Sequence, residues 1–254
     1  MIPLFKSCYS ISKSILTLDP PKDLDDGPDS IFSLAISAGL KDLYLVEDSM
    51  ASCVTAYETS KGICKLNFGF RTWISANTNI PFKEDDSINK IIIFIKNYEG
   101  YKRMIKIATS ACVDNFDIEP RLSYETMLKH WNDDDLLLAI PFYDSFIHQN
   151  LLTKNTCLPT FNSIPLTMFV EDNDLPFDKI LDSAVRFFAG DKYEIVPTKS
   201  IYYNKREDFL AWQTLKLINR KGHGSGYTLE DPNLDHCSSR EFSFESWTEK
   251  QKQK

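Results

Sequence analysis

The chain has 254 residues, 43% of them hydrophobic and 26% charged, which is the composition of a folded globular protein of one large domain or two small ones. Its longest apolar runs are only of strand length, which excludes a membrane-spanning helix. The formal net charge of -7 disfavours an independent DNA-binding module, because such a module needs basic groups to neutralise phosphates.

Short, continuously apolar runs predict the strands of the chain. Such runs are typical of strands buried on both faces of a parallel sheet. In chain order they are a short strand before Ser7 and then residues 43–46, 67–74, 91–96, 136–140, 166–170 and 193–197.

Helices are predicted between these strands, where apolar residues recur at helical spacing and glycine or proline marks the ends. The predicted helices are residues 30–39, 99–111, 177–189 and 206–219. Repeated strand-helix-strand units imply a sheet that is either open or closed into a barrel. We expect closure, because none of the strand runs has the polar character of an edge strand.

Functional side chains of such barrels lie at the carboxyl ends of the strands. Here these positions are residues 7–12, 47–50, 71 and 198–203. The acidic runs at residues 23–26, 84–86 and 133–135 predict solvated loops. We expect a single domain over residues 1–248 and a disordered charged tail over residues 249–254.

The chain begins without the basic, apolar and small-residue pattern of a secretory signal, so we expect a cytoplasmic protein.

The cysteines indicate a reduced protein without a zinc-finger site. The six cysteines are far apart and include no C-x-x-C pair, so we expect them to be reduced and mainly buried. They are Cys8, Cys53, Cys64, Cys112, Cys157 and Cys237.

Five segments form an ordered set of motifs. They read K-S-C-Y-S-I-S from Lys6, V-E-D-S-M-A-S from Val46, G-F-R-T-W-I from Gly69, K-N-Y-E-G-Y-K-R-M from Lys96 and T-K-S-I-Y-Y-N-K-R-E-D from Thr198. In order and spacing they resemble the PHP (polymerase and histidinol phosphatase) domain of the alpha subunit of bacterial, C-family DNA polymerase III. That family has H-x-H-S-x-x-S, T-D-H-G-N-M-x-G, G-x-E, K-N-x-E-G-Y-x-N-L and A-T-N-D-x-H-Y. The resemblance covers essentially the whole chain and implies an α/β fold, a distorted (β/α)7 barrel of the PHP type.

The resemblance also implies a vestigial metal site. Active members of the family hold two or three divalent metals, which activate water and bind a phosphate ester. The matching positions here are Lys6, Cys8, Asp48, Ser49, Arg71, Ser200 and Tyr202. Among them Asp48 alone is a good ligand for hard metals, whereas Cys8 suits softer ones. We therefore expect no catalytic residues and no metal or other cofactor.

Arg71 is the most informative of these departures, because it stands where the family has a glutamate and its guanidinium stays charged. Two interpretations remain open. Arg71 neutralises Asp48 or Glu47 through a charge-assisted pair, or it lies on the barrel rim and faces solvent.

The function implied by the resemblance is a non-catalytic PHP domain of, or companion to, a bacterial-type replicative DNA polymerase of a bacterium or phage. Its own phosphoesterase site would be lost. Its partners would be the polymerase core or the proofreading exonuclease, with DNA contacted only indirectly and no membrane involved.

The alternative is a metal-dependent phosphoesterase or 3'-5' exonuclease that binds Mn, Zn or Mg through non-standard ligands. The sequence does not identify these ligands: Asp114, Asp144 and Glu171 lie near predicted strand ends, but their neighbours do not form a ligand set. The four histidines do not match the ligand positions of the family, and G-H-G-S-G from Gly222 lacks the lysine-serine ending of a phosphate loop. The histidines are His130, His148, His223 and His236.

Overall fold

The computed structural model describes residues 1–21, 28–153, 155–161, 164–219 and 239–252. The strands are β1 (Ile2–Phe5), β2 (Asp42–Glu47), β3 (Lys65–Ser75), β4 (Asn89–Ile95), β5 (Arg121–Ser123), β6 (Leu136–Ile140), β7 (Leu166–Val170) and β8 (Glu194–Ile201). The α-helices are α1 (Ile31–Ser37), α2 (Cys53–Ser60), α3 (Tyr98–Thr109), α4 (Tyr124–His130), α5 (Phe146–Leu152), α6 (Asp178–Ala189), α7 (Phe209–Asn219) and α8 (Phe244–Lys252).

Seven strands close into a ring in the order β1, β2, β3, β4, β6, β7, β8 and back to β1, while β5 pairs with β3 outside the ring. Most neighbours in the ring are parallel, but β4 is antiparallel to both β3 and β6. The fold is therefore an α/β structure with a closed, mixed, seven-stranded barrel. Closure was predicted correctly, whereas the parallel sheet that the apolar runs suggested is interrupted by the antiparallel strand β4.

The reversal of β4 follows from the connection that precedes it. Two parallel neighbours need a crossover, usually a helix, that returns the chain to the end where it started. Residues 76–88 instead form a loop with one 3-10 turn, Phe82–Glu84, and the chain then runs back along β3. The loop is held by a buried ion pair in which Arg121 Nη1 lies 3.1 Å from Asp85 Oδ2. The acidic run 84–86 had predicted a solvated loop, and for Asp85 this prediction was wrong.

Small apolar side chains and rings fill the interior of the barrel. The buried members of this cluster are Leu4, Val46, Ile92, Phe94, Ala139 and Phe169. Because side chains alternate between the two faces of a strand, Lys6, Asp48 and Lys90 fall on the same inward face, each two positions from a member of the cluster. Larger hydrophobic clusters lie between the strands and the surrounding helices.

The junction of β4 and α3 carries the K-N-Y-E-G-Y motif, which has a clear structural basis. Asn97 caps α3, because its Oδ1 accepts from the backbone N–H of Gly100 at 2.9 Å and its Nδ2 donates to Asp135 at 3.0 Å. A Cβ at Gly100 would lie 2.2 Å from the backbone oxygen of Asp135. Glycine is therefore required at this position for close packing.

The last helix corrects one expectation about the chain end. Residues 249–252, predicted to be part of a disordered tail, form the end of α8. Glu249 there pairs with Arg206 at 2.8 Å, and Lys250 pairs with Asp172 at 3.3 Å. The indole nitrogen of Trp247 donates to the backbone oxygen of Met1 at 3.1 Å, which fixes α8 against the start of β1.

Several predictions concern residues outside the described ranges: the acidic run 23–26, Gly222, His223, His236, Cys237 and residues 253–254. The five cysteines within the described ranges have free thiols, of which Cys53 and Cys157 are buried. Across the same ranges, every helix is too short or too polar to cross a bilayer.

Candidate functional site at the barrel mouth

A cavity of about 810 Å³ opens at one end of the barrel. This end, which we call the barrel mouth, is where the parallel strands terminate and where β4 begins. Basic groups outnumber acidic ones in the cavity lining: Lys6, Lys13, Arg71, Lys90 and Lys216 against Asp48, Glu119 and Asp144. Aromatic side chains complete much of the wall: Tyr9, Trp73, Tyr202 and Trp212.

The barrel mouth brings together most of the positions that the sequence singled out. Five line the cavity, namely Lys6, Asp48, Ser49, Arg71 and Tyr202. Ser200 lines a smaller adjoining cavity deeper in the barrel, which Lys6, Arg71 and Tyr202 also line. Cys8 is exposed and lines neither of these two cavities.

Lys6 and Asp48 form an ion pair in the wall of the cavity. Lys6 Nζ donates to Asp48 Oδ1 at 2.8 Å, and the lysine side chain is only 4% exposed. Burial opposes ionisation of Asp48, but the charges of Lys6, Lys90 and Arg71 outweigh it and hold the pKa of Asp48 below its ordinary value. The best hard-metal ligand predicted from the sequence is therefore bound to an ammonium group of the protein.

Arg71 forms a charge-assisted pair at the cavity, but its partner is Asp144 rather than Asp48 or Glu47, and the interpretation that it faces bulk solvent was wrong. Its Nη2 donates to Asp144 Oδ2 at 2.8 Å and to the backbone oxygen of Tyr143 at 3.0 Å. The arginine side chain is 11% exposed and thus faces the cavity rather than bulk solvent. Asp144 adopts a left-handed backbone conformation with φ 63°, and its backbone oxygen accepts from the N–H of Lys90 at 2.7 Å.

Two further carboxylates lie at the ends of β2 and β7, and hydrogen-bond donors hold both. Glu47 is fully buried and accepts from the backbone N–H of Ser7 at 2.9 Å and from the hydroxyl groups of Ser7 and Ser10. Burial raises the pKa of Glu47, although the charge of Lys6 and the serine donors act against this. Glu171 accepts from the N–H and hydroxyl of Ser200 at 2.9 and 2.8 Å.

Lys90 is a buried residue of the cavity that the sequence prediction missed. It is 7% exposed, and its Nζ lies 4.4 Å from the centre of the Trp73 ring. Burial, assisted by the nearby charge of Arg71, lowers the pKa of Lys90 to about 8. In the sequence, Lys90 is simply a lysine directly before the apolar run 91–96. A strand prediction that is based on apolar residues does not include it.

This donor set does not suit a site for several metals. Catalytic metal centres need carboxylate, imidazole or thiolate ligands with free lone pairs and open coordination positions. The carboxylates of Glu47, Asp48, Asp144 and Glu171 instead accept hydrogen bonds or ion pairs from neighbouring groups. Within the described ranges, no three His, Cys, Asp or Glu residues are grouped so that they could hold a metal ion.

The fold places only some of the other candidate residues from the sequence at the two cavities. Asp144 and Glu171 lie at the two cavities, as described, whereas Asp114 ends the π-helical turn Ser110–Asp114 and lines neither of them. His130 ends α4 and His148 lies in α5, and neither lines the two cavities.

A comparison with protein-family models finds no match to this chain, and a search of curated proteins finds no similar sequence.

Proposed function

We propose that this chain is a non-catalytic PHP-type barrel that serves as a structural and interaction domain of, or companion to, a bacterial-type replicative DNA polymerase in the cytoplasm. The closed seven-stranded α/β barrel supports this proposal, since the resemblance in the sequence implies a barrel with seven strands. The five motifs that carry the resemblance also supply residues to one end of the ring or to its strand–helix junctions.

The observation that carries the non-catalytic part is the pairing of Lys6 with Asp48 and of Arg71 with Asp144, each at 2.8 Å. Hydrolysis of a phosphate ester by the family's chemistry needs divalent cations at these positions. An ammonium and a guanidinium there repel such cations, and they also engage the carboxylates that would bind them. The barrel is thereby suited to structural support rather than to metal-assisted hydrolysis.

The proposed partners are the polymerase core or the proofreading exonuclease. A net charge of -7 opposes tight contact with the DNA backbone. Contact with DNA would then pass through a partner protein that has its own basic surface.

Affinity capture from native cells tests this proposal. The tagged chain is expressed in those cells and recovered at moderate salt, and bound proteins are identified by mass spectrometry against an unrelated tagged protein of similar negative charge. We expect a replicative polymerase or proofreading exonuclease to be enriched with the chain. Absence of any replication protein from the captured set would contradict the scaffold role.

Hydrolysis of a generic phosphodiester in the presence of Mn²⁺ separates the proposal from the alternative enzyme. We expect no turnover above that of the Lys6→Met/Asp48→Asn double variant, which removes the best remaining metal ligand together with its buried partner. Turnover by the wild-type chain that is lost in this double variant would favour a phosphoesterase or exonuclease with non-standard ligands.

A further inference from the structure

Lys6, Arg71 and Lys90 line the barrel mouth together with the carboxylates of Asp48 and Asp144, and each of these two carboxylates has one close cationic partner. Glu47 and Glu171 lie outside the lining of this cavity, where serine donors hold them. Within the described part of the chain, the ammonium of Lys90 has no carboxylate partner within 4 Å, and it lies over the ring of Trp73. Asp48 and Asp144 act on it only from a distance, so this buried cation has no close counter-ion.

A cation in this position is costly for the protein. Burial of an ammonium without a partner has a large free-energy cost, which the group escapes by losing its proton or by binding an anion. The contact with the indole ring compensates only in part, since a cation over an aromatic ring contributes about 0.5–2 kcal/mol. With a pKa of about 8, Lys90 stays largely protonated at neutral pH. It is thus available to an anion at neutral pH.

The surroundings of Lys90 indicate the kind of anion. The cavity of about 810 Å³ is far larger than an inorganic ion needs and lies within the size range of small-molecule sites. Exposed Tyr9 and the partly exposed Trp73 add aromatic surface to the cavity lining beside the cations. Lys13 and Lys216 add further positive charge to the lining. Because the whole chain carries a charge of -7, this attraction for anions is local to the cavity.

We propose that the mouth cavity is a binding site for a small ligand that combines an oxyanion with a planar ring, in which the ammonium of Lys90 binds the oxyanion directly. Arg71 and Lys6 maintain the positive field around it while they remain paired with their carboxylates. The interaction is non-covalent and breaks no bond of the ligand. It goes beyond the proposed scaffold role and does not depend on a polymerase partner.

Isothermal titration calorimetry with three probes tests the inference: deoxyadenosine monophosphate, inorganic phosphate and deoxyadenosine, at pH 7 and low ionic strength. We expect the monophosphate to bind more tightly than phosphate, and the uncharged nucleoside not to bind measurably. In Lys90→Met the affinity for the monophosphate should fall about tenfold or more, because a hydrogen bond to a charged group is lost. Lys90→Arg keeps the positive charge and should retain most of the affinity.

Lys102→Met is the matched control, because Lys102 is an exposed lysine that also lies over an aromatic ring, at 4.6 Å from the centre of Tyr98. It should bind the monophosphate like the wild-type chain. The inference is overturned if the wild-type chain binds neither phosphate nor the monophosphate, if deoxyadenosine binds as tightly as its monophosphate, or if Lys90→Met and Lys102→Met bind equally well. Circular dichroism confirms that each variant is folded.

Discussion

Lys90 and Trp73 are directly opposite each other on the antiparallel pair of β3 and β4, with the ammonium 4.4 Å from the centre of the indole ring. This relationship depends on the reversal of β4. In a parallel barrel the first residues of a strand lie at the end remote from the functional site. Because β4 runs the other way, its first residues reach the mouth, and the cavity gains a lysine that no strand-end rule would have selected.

Removal of the Lys90 charge should stabilise the protein at neutral pH. The pKa of about 8 lies below the ordinary value of 10.5, so the charged amine is less favourable in the folded than in the unfolded chain. We expect Lys90→Met to raise the free energy of unfolding by about 1–2 kcal/mol at pH 7, after the lost contact with Trp73 is allowed for. Urea unfolding in a buffer without multivalent anions measures this change.

The pH dependence of that stabilisation has a defined sign. The cost of the charged amine is fully present below pH 8, and it disappears as pH rises from 8 towards 10.5. The advantage of Lys90→Met should therefore be smaller at pH 9.5 than at pH 7, whereas Lys102→Met should change little at either pH. A destabilised Lys90→Met variant at pH 7 would show that the ammonium already has a strong partner.

The Lys6–Asp48 pair should be strongly coupled. Asp48→Asn leaves Lys6 buried and unpaired, and loss of one partner of a buried pair costs about 3–5 kcal/mol. We expect Asp48→Asn to be severely destabilised and the double variant Lys6→Met/Asp48→Asn to recover much of the loss. Urea unfolding of the single and double variants measures the coupling, and additive effects of the two substitutions would contradict it.

Acid should weaken the same pair. The pKa of Asp48 is held below 3.8, so its contribution to stability is fully present above the ordinary carboxylate pKa and is lost as pH falls further. Comparison of wild type with Lys6→Met/Asp48→Asn between pH 5 and 3 gives this contribution. We expect the wild-type chain to lose more stability over that interval.

The buried pair of Asp85 and Arg121 should be essential for the loop that reverses β4. Arg121 also donates to the backbone oxygens of Thr78 and Ile80 at 2.7 and 2.8 Å. Asp85→Asn leaves the guanidinium of Arg121 without a counter-charge. We expect this substitution to lower the free energy of unfolding by about 3–5 kcal/mol. Asp86→Asn is the control, since Asp86 is exposed and should change stability by less than about 0.5 kcal/mol. Equal effects of the two substitutions would argue against the pair.

Gly100 should tolerate no side chain. Gly100→Ala places a Cβ 2.2 Å from the backbone oxygen of Asp135, so α3 has to move away from β6. We expect Gly100→Ala to lower the free energy of unfolding, measured by urea denaturation, by about 3 kcal/mol or more, which is at the upper end of overpacking effects. Gly62→Ala is a useful contrast, because φ is +77° there and nothing lies within 4 Å. It should cost only about 1–2 kcal/mol through backbone strain. A mild effect of Gly100→Ala would show that the junction yields easily.

The strands were predictable where burial alone decides them. The apolar runs 136–140 and 166–170 coincide with β6 and β7, because strands covered on both faces need continuous hydrophobic sequence. Strand direction was not predictable, since periodicity carries no information about it and the loop 76–88 decides it. The short helices α4 and α5 have weak periodicity, and their clearest signals are the capping serines Ser123 and Ser145.

The candidate site was predictable as a set of positions but not as a set of contacts. The motif resemblance identified six residues that lie at the two adjoining cavities. The partner of Arg71 was missed, because Asp144 is 73 positions away and approaches only when β6 closes beside β4. Glu47 and Glu171 were also underestimated as site residues, since the serines that bind them are recognisable only in three dimensions.

Metal content is the most direct measure of the central claim, which is that protein cations at the barrel mouth replace metal ions. The chain is purified without chelators, incubated with Mn²⁺ or Zn²⁺, desalted and analysed by elemental mass spectrometry beside Lys6→Met/Asp48→Asn. We predict far less than one ion per chain and no difference between the two proteins. Stoichiometric metal in the wild-type chain that is lost in the double variant would contradict the account.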